Sequence, residues 1–114
     1  MPLSDDEKAA KSREKIAAIQ KSIAAIEYLS SGTLQKRMKV CGNPRCHCAA
    51  DLAARHGPYY EWSYLKGGKL RHRTLTPTQA ETMRQAIANY RKTKKLLRVW
   101  EAQTLALIDL TPPK

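Results

Sequence analysis

The chain has 114 residues, and its 21 Lys and Arg outnumber ten Asp and Glu, which gives a net charge of +11. That length allows one domain over residues 1–114. No apolar run approaches the roughly 18 residues that a membrane span needs. The acidic N-terminus does not resemble a signal peptide. Three cysteines within eight residues favour a reducing compartment, so we expect a cytoplasmic protein with an anionic partner and no membrane partner.

The first predicted element is a helical arm over residues 5–30. Ser4 and the acidic residues after it suit a helix N-terminus, and Ser30, Ser31 and Gly32 suit its end. Its apolar residues follow the three-four-three spacing of a coiled-coil seam: Ile16, Ile19, Ile23 and Ile26. Such a seam needs an apolar partner, either elsewhere in the chain or in a second copy.

Residues 31–76 are expected to hold a small three-stranded antiparallel sheet and a zinc site. Residues 34–40 alternate between apolar and polar side chains, which predicts a half-buried strand with Arg37 and Lys39 on its outer face. Residues 59–65 and 70–75 predict the other two strands. The predicted fold class is therefore α+β, with the zinc-stabilised sheet flanked by the N-terminal helix and a long C-terminal helix.

A Gly67-Gly68 pair joins the second and third strands and favours a two-residue turn with positive φ. Pairing across this turn sets aromatic side chains opposite basic ones, so one face collects Tyr60, Trp62, Tyr64, Arg71 and Arg73. Such a face suits contact with bases and phosphates. The same rings are also the better core, which would leave Arg37, Lys39, Lys66, Lys69 and His72 for the outer face.

Residues 77–110 predict a long helix, with Thr76 as cap, Pro77 in the first turn and Gln79 completing a capping box. Its length is about 50 Å, so its second half needs the N-terminal helix or a second subunit. The expected apolar side, interrupted by Lys94, is Met83, Ile87, Tyr90, Leu97, Trp100, Thr104 and Ile108. The basic residues Arg84, Arg91, Lys95 and Arg98 share another face.

The cysteine cluster predicts a structural Zn²⁺ site. Cys41, Cys46 and Cys48 supply three thiolates on either side of a Gly-Asn-Pro turn, and zinc prefers four tetrahedral sulfur or nitrogen ligands. His56 is the expected fourth ligand, with His47 and His72 as alternatives. Four protein ligands leave no position for an activated water, so the zinc would not be catalytic, and free thiols are the competing interpretation.

These residues resemble an uncharacterised family of small prokaryotic proteins. The shared pattern is C-G-x-P-x-C-x-C from Cys41, then H-G-P-Y-Y from His56, then a G-G-K hairpin and a helix. The resemblance covers residues 32–95 and leaves out the N-terminal helix. It implies that Cys41, Cys46, Cys48 and His56 belong to one site, and it implies no activity.

The sequence therefore predicts a nucleic-acid-binding protein, with DNA favoured over RNA, that contains structural zinc. A three-stranded sheet backed by a helix is an architecture that can lay strands in the major groove. The expected phosphate contacts are Arg37, Lys39, Lys66, Lys69, Arg71, Arg73, Arg91, Lys95 and Arg98.

No paired carboxylates, activated nucleophile or phosphate-binding glycine loop is visible, so we expect no enzyme and no catalytic residues. The helices predict a homodimer or docking on a larger enzyme as an accessory factor. The alternative function is a protein-interaction adaptor that docks through its helical arms.

Overall fold

The structure is a computed structural model that describes residues 2–39, 45 and 56–113, with the backbone alone at 39, 56 and 57. Its elements are α1 (Asp5–Ala24), β1 (Thr33–Lys39), β2 (His56–Lys66), β3 (Lys69–Leu75) and α2 (Pro77–Leu110). The strands form one antiparallel sheet in the order β1-β2-β3, so the predicted α+β arrangement of helices and sheet is confirmed. Neither described helix is long and apolar enough to cross a bilayer.

Helix α1 begins where the sequence predicts and ends earlier. The Ser4 hydroxyl accepts a hydrogen bond from the Glu7 amide at 3.2 Å, and three acidic residues fill the first turn. The helix ends at Ala24 rather than at residue 30. The Ser30 amide, six residues beyond the end of the helix, donates to the carbonyl of Ala86 in α2.

The hairpin of β2 and β3 has the predicted register. Tyr60 pairs with Leu75, Trp62 with Arg73 and Tyr64 with Arg71. Gly67 and Gly68 form the turn with φ values of 59° and 77°, a conformation that glycine adopts without strain. The register is therefore fixed by the turn, and the two faces of the hairpin are those that the sequence predicts.

Strand β1 pairs with β2 along its length, with Leu34 opposite Trp62 and Lys36 opposite Tyr60. The register shifts between Arg37 and Lys39, and Lys39 then lies opposite His56. The strand begins at Thr33, one residue before its predicted start. Val40, its predicted last residue, lies outside the described residues.

Helix α2 starts with the predicted capping box. The Gln79 amide donates to the Thr76 hydroxyl at 3.1 Å, and the Gln79 side chain accepts from the Thr76 amide at 2.9 Å. The helix continues without a break to Leu110, as predicted.

Contacts divide the chain into two compact units, and α2 contributes to both. Unit 2 covers residues 28–88 and includes the sheet and the first third of α2. Its buried apolar side chains are Leu75, Ala80, Ala86 and Ile87. Leu75 is the last residue of β3 and Ala80 follows in the first turns of α2, so the core lies where the sheet passes into the helix.

Unit 1 consists of residues 1–27 and 89–114, so α1 and the rest of α2 belong together. In α1, Ile19 is only 5% exposed, and the remaining isoleucines of the predicted seam are half-buried. Most partly buried residues of α2 in unit 1 also recur at four-three spacing, at Asn89, Thr93, Leu96, Trp100, Gln103, Leu107 and Leu110, and Tyr90 and Ala106 are partly buried as well. The burial of Ile19 and the grouping of α1 with this part of α2 support a partner for the seam within unit 1, although Ile26 lies beyond the end of α1.

The buried face of α2 in unit 1 differs from the predicted one. The prediction ran through Leu97, Thr104 and Ile108, all of which are exposed. Polar residues occupy the buried face because their groups are paired; the Thr93 hydroxyl, for example, donates to the Asn89 carbonyl at 2.7 Å. The predicted apolar side is thus left as a second apolar face.

Gly32 is expected to be the least replaceable glycine among those described. Its φ is 109°, and an added Cβ would lie 2.5 Å from the Trp62 indole nitrogen and equally tightly against the Ser63 carbonyl. Gly32→Ala should lower the free energy of unfolding by about 2–4 kcal/mol in urea titrations. Gly67→Ala is the control, because its Cβ meets open space and only left-handed backbone strain of about 1 kcal/mol remains. Equal losses would contradict the packing at Gly32.

Candidate nucleic-acid interface

One face of the hairpin carries basic and aromatic residues in facing pairs. Going towards the turn, the pairs are Trp62 with Arg73, Tyr64 with Arg71, and Lys66 with Lys69. We call this the cationic hairpin face, defined by Trp62, Tyr64, Lys66, Lys69, Arg71 and Arg73. Alternation along β2 and β3 places no acidic side chain on it.

The cationic hairpin face is part core and part open surface. At its inner end Tyr60 is half-buried opposite the buried Leu75. At the outer end all four basic residues are exposed, and no described residue forms an ion pair with them. The pair Tyr60 and Leu75 next to this face therefore joins the core, and Arg71 and Arg73 within it remain accessible to solvent.

The two aromatic rings of this face are held by contacts within the protein. Trp62 and Tyr64 stack with ring centroids 4.0 Å apart, and the Trp62 indole N–H donates to the Ser31 carbonyl at 2.9 Å. These contacts hold both rings in place beside the arginine side chains. Their faces are less available to stack on bases than free aromatic side chains would be.

The opposite face of the sheet is more polar. The Gln35 side-chain oxygen accepts from two guanidinium nitrogens of Arg37, at 3.2 and 3.0 Å. Lys66 and Lys69 do not join Arg37 here, because alternation puts both lysines on the cationic hairpin face. The prediction that these lysines share an outer face with Arg37 and His72 is therefore wrong.

His72 lies in a small polar cluster on this opposite face. Its Nδ1 is 2.9 Å from the Ser63 hydroxyl and 3.5 Å from a Glu61 carboxylate oxygen. Both groups meet the same ring nitrogen, whereas a catalytic Ser-His-acid arrangement uses the two nitrogens separately. The cluster therefore lacks the geometry of an activated serine.

The helical basic residues belong to the other unit, apart from Arg84. Arg91, Lys95 and Arg98 are exposed and share one face of α2 in unit 1. Arg84 belongs to unit 2 and pairs with Glu81 one turn earlier. The predicted phosphate contacts thus fall into three sets, with Arg37 and Lys39 on β1, four residues on the hairpin and three on α2.

The predicted zinc ligands Cys41, Cys46 and Cys48, and the alternative ligand His47, lie outside the described residues. The backbone of His56 is described and pairs with Lys39, so the segment between them begins and ends on neighbouring strands. The side chains of Lys39 and His56 are not among those described. Within residues 2–38 and 58–113, no three His, Cys, Asp or Glu side chains come close enough together to hold a metal ion.

Sequence reasoning missed Lys36 as a candidate contact. It lies opposite Tyr60 on β1, is exposed, and alternates with Gln35 and Arg37, so it shares the face of the hairpin arginines. The signal was present in the alternation of β1. Only Arg37 and Lys39 were predicted as contacts in this strand, because the basic contacts of β1 were assigned to its outer face.

Comparison with known proteins gives one family match. A family model described as Domain of unknown function (DUF6788) matches residues 9–85, which is more than half of the chain. The match includes most of α1, which the resemblance left out, and it stops before the basic residues of α2 in unit 1. Neither the curated proteins nor the solved structures contain a match to the chain. The chain belongs to this family of unknown function.

Proposed function

We propose that the protein binds nucleic acid, DNA in preference to RNA, through phosphate contacts made by the cationic hairpin face. The observation that carries this proposal is the group of four exposed basic side chains on a face without acidic residues, next to the stacked rings of Trp62 and Tyr64. A basic surface of this kind attracts a polyphosphate, because each contact releases condensed counterions. The net charge of +11 adds long-range attraction to the same partner.

Duplex DNA is the favoured target because of the shape of the hairpin. A two-stranded antiparallel ribbon fits the major groove of B-DNA, whereas the major groove of A-form RNA is too narrow for side chains to read. Single strands are disfavoured because Trp62 and Tyr64 are engaged with each other and with Ser31. Arg91, Lys95 and Arg98 provide a second set of phosphate contacts from α2.

Charge reversal in the hairpin tests this proposal. The double substitution Arg71→Glu and Arg73→Glu removes two phosphate contacts, so the slope of log Kd against log salt should become shallower by about two. The matched control is Lys11→Glu with Lys15→Glu, which changes the net charge equally at exposed positions of α1. Fluorescence anisotropy of labelled duplex, single strand and duplex RNA measures both variants.

Three results would contradict the assignment to the hairpin. The first is an equal loss of affinity in both double variants, which would indicate that binding depends on the net charge of the protein and not on the hairpin. The second is a larger loss on reversal of Arg91 and Lys95, which would place the contacts on α2. The third is tighter binding to single strands than to duplex DNA.

We further propose that Cys41, Cys46, Cys48 and His56 hold one structural Zn²⁺. Three thiols and an imidazole are the donor set that zinc prefers. The pairing of His56 with Lys39 supports the inclusion of His56 in this site, because Cys41 follows Lys39 by only two residues. Bound thiolates of this kind persist in a reducing compartment such as the cytoplasm. The zinc would stabilise the junction of β1 and β2, on which the hairpin depends.

The alternative function, an adaptor that docks on another protein, rests on the exposed apolar side chains of α2. Apolar docking does not share the steep salt dependence of phosphate binding, so the same titrations separate the two functions. An accessory role beside a larger enzyme is compatible with either.

A further inference from the structure

The second apolar face of α2 lies in unit 1, and none of the described residues covers it. Leu97, Leu105 and Ile108 are 44%, 58% and 60% exposed. With Trp100, Glu101 and Thr104 they line a shallow groove of about 370 Å³. Most partly buried residues of α2 in unit 1 lie on a neighbouring side, and only Trp100 belongs both to them and to the groove. Adjacent exposed apolar residues of this size commonly mark an interaction surface.

Charge along α2 indicates what covers the groove. Residues 91–98 contain five basic residues and no acidic one, whereas residues 99–110 contain two acidic residues and no basic one. The partner surface should therefore be acidic beside the first stretch and basic beside the second. A second copy of α2 in the opposite direction meets both requirements at once.

We infer that two copies of the protein associate by antiparallel packing of this face of α2. In the symmetric arrangement Leu97 of one copy lies opposite Ile108 of the other, and Glu101 lies opposite Thr104. Lys94 and Arg98 then come within about 3 Å, measured along the helix axis, of the partner's Asp109. A two-fold axis makes each such contact occur twice, which is the usual symmetry of dimers.

Parallel packing of the same face is disfavoured by like charges. In register, it would set Glu101 against Glu101 within the interface and Lys94 against Lys94 at its end. The antiparallel dimer avoids both contacts and leaves Arg91, Lys95 and the hairpin outside the pairing, so Arg98 is the one proposed phosphate contact that it engages. The inference therefore does not depend on the proposed nucleic-acid binding, and the two can fail separately.

The test is sedimentation of the full chain over a range of concentrations without nucleic acid. The wild type should show a concentration-dependent dimer, and Ile108→Glu should raise the dimer dissociation constant about a hundredfold, because a charge would be buried in the interface. Leu70→Glu is the matched control, since Leu70 is 62% exposed in unit 2 and should leave the dimer unchanged. Circular dichroism confirms that each variant is folded.

A charge exchange tests the direction of packing. Lys94→Glu and Asp109→Lys should each raise the dissociation constant roughly threefold to tenfold, and the double variant should restore dimerisation. A monomer at every concentration would overturn the inference, as would a dimer that is indifferent to Ile108→Glu. If each single variant weakens dimerisation and the double variant does not restore it, the antiparallel arrangement is overturned.

Discussion

Raising salt from about 50 to about 200 mM is expected to weaken binding to duplex DNA by ~10³-fold, which corresponds to about six phosphate contacts. The four basic residues of the cationic hairpin face and the three of α2 supply enough charges for that number. All seven are exposed, and none of them forms an ion pair with a described acidic side chain, so they are available for phosphates.

The measurement is an anisotropy titration at several salt concentrations with one duplex. A change of sequence in that duplex should alter the intercept of the plot of log Kd against log salt more than its slope, because phosphate contacts carry no sequence information. Binding that ignores salt, or no binding to duplex or single strands at about 50 mM, would rule out the nucleic-acid proposal and favour the adaptor.

Loss of zinc is expected to have the largest effect on stability. Cys46→Ser should lower the free energy of unfolding by several kcal/mol, because binding of structural zinc is part of the folding free energy. Elemental analysis of protein purified without added metal should find one zinc per chain. Removal of the metal by a chelator should lower the melting temperature of the wild type and leave Cys46→Ser unchanged.

The fourth ligand can be identified by comparing histidine variants. His56→Ala should weaken zinc binding strongly, whereas His47→Ala should not, because a residue between two ligating cysteines points away from the metal in an extended chain. His72→Ala is the control for a histidine that contacts Ser63 and Glu61. A zinc content near zero in the wild type would refute the proposed site.

Local signals predicted much of this fold. The Gly67-Gly68 turn fixed the hairpin register, and the Thr76-Gln79 capping box located the start of α2. Both are decided by neighbouring residues, so no knowledge of the tertiary structure was needed. The end of α1 was mispredicted: Ser30 lies beyond the helix and bonds to Ala86, and a contact between residues so far apart in the sequence has no local signal.

The buried face of α2 could not be read from hydropathy. Two rows of side chains run along α2 and share Trp100. The exposed row contains Leu97 and Ile108, and these apolar residues led to the prediction that this row is the buried one. The row that is buried includes Asn89 and Gln103, which no pattern of apolar residues would select. Likewise, composition predicted a basic binding surface but could not reveal that Arg37 is already engaged with Gln35.

The unbroken course of α2 has a consequence for hydrogen exchange. The helix belongs to both units, and the amides of residues 89–92 donate to carbonyls of residues 85–88 across the boundary between them. One of these carbonyls, that of Ala86, also accepts from Ser30. Separate opening of either unit must break these bonds, so their protection factors report how cooperatively the chain unfolds. Protection equal to that of the core around Ile87 would mean that sheet and helices open as one.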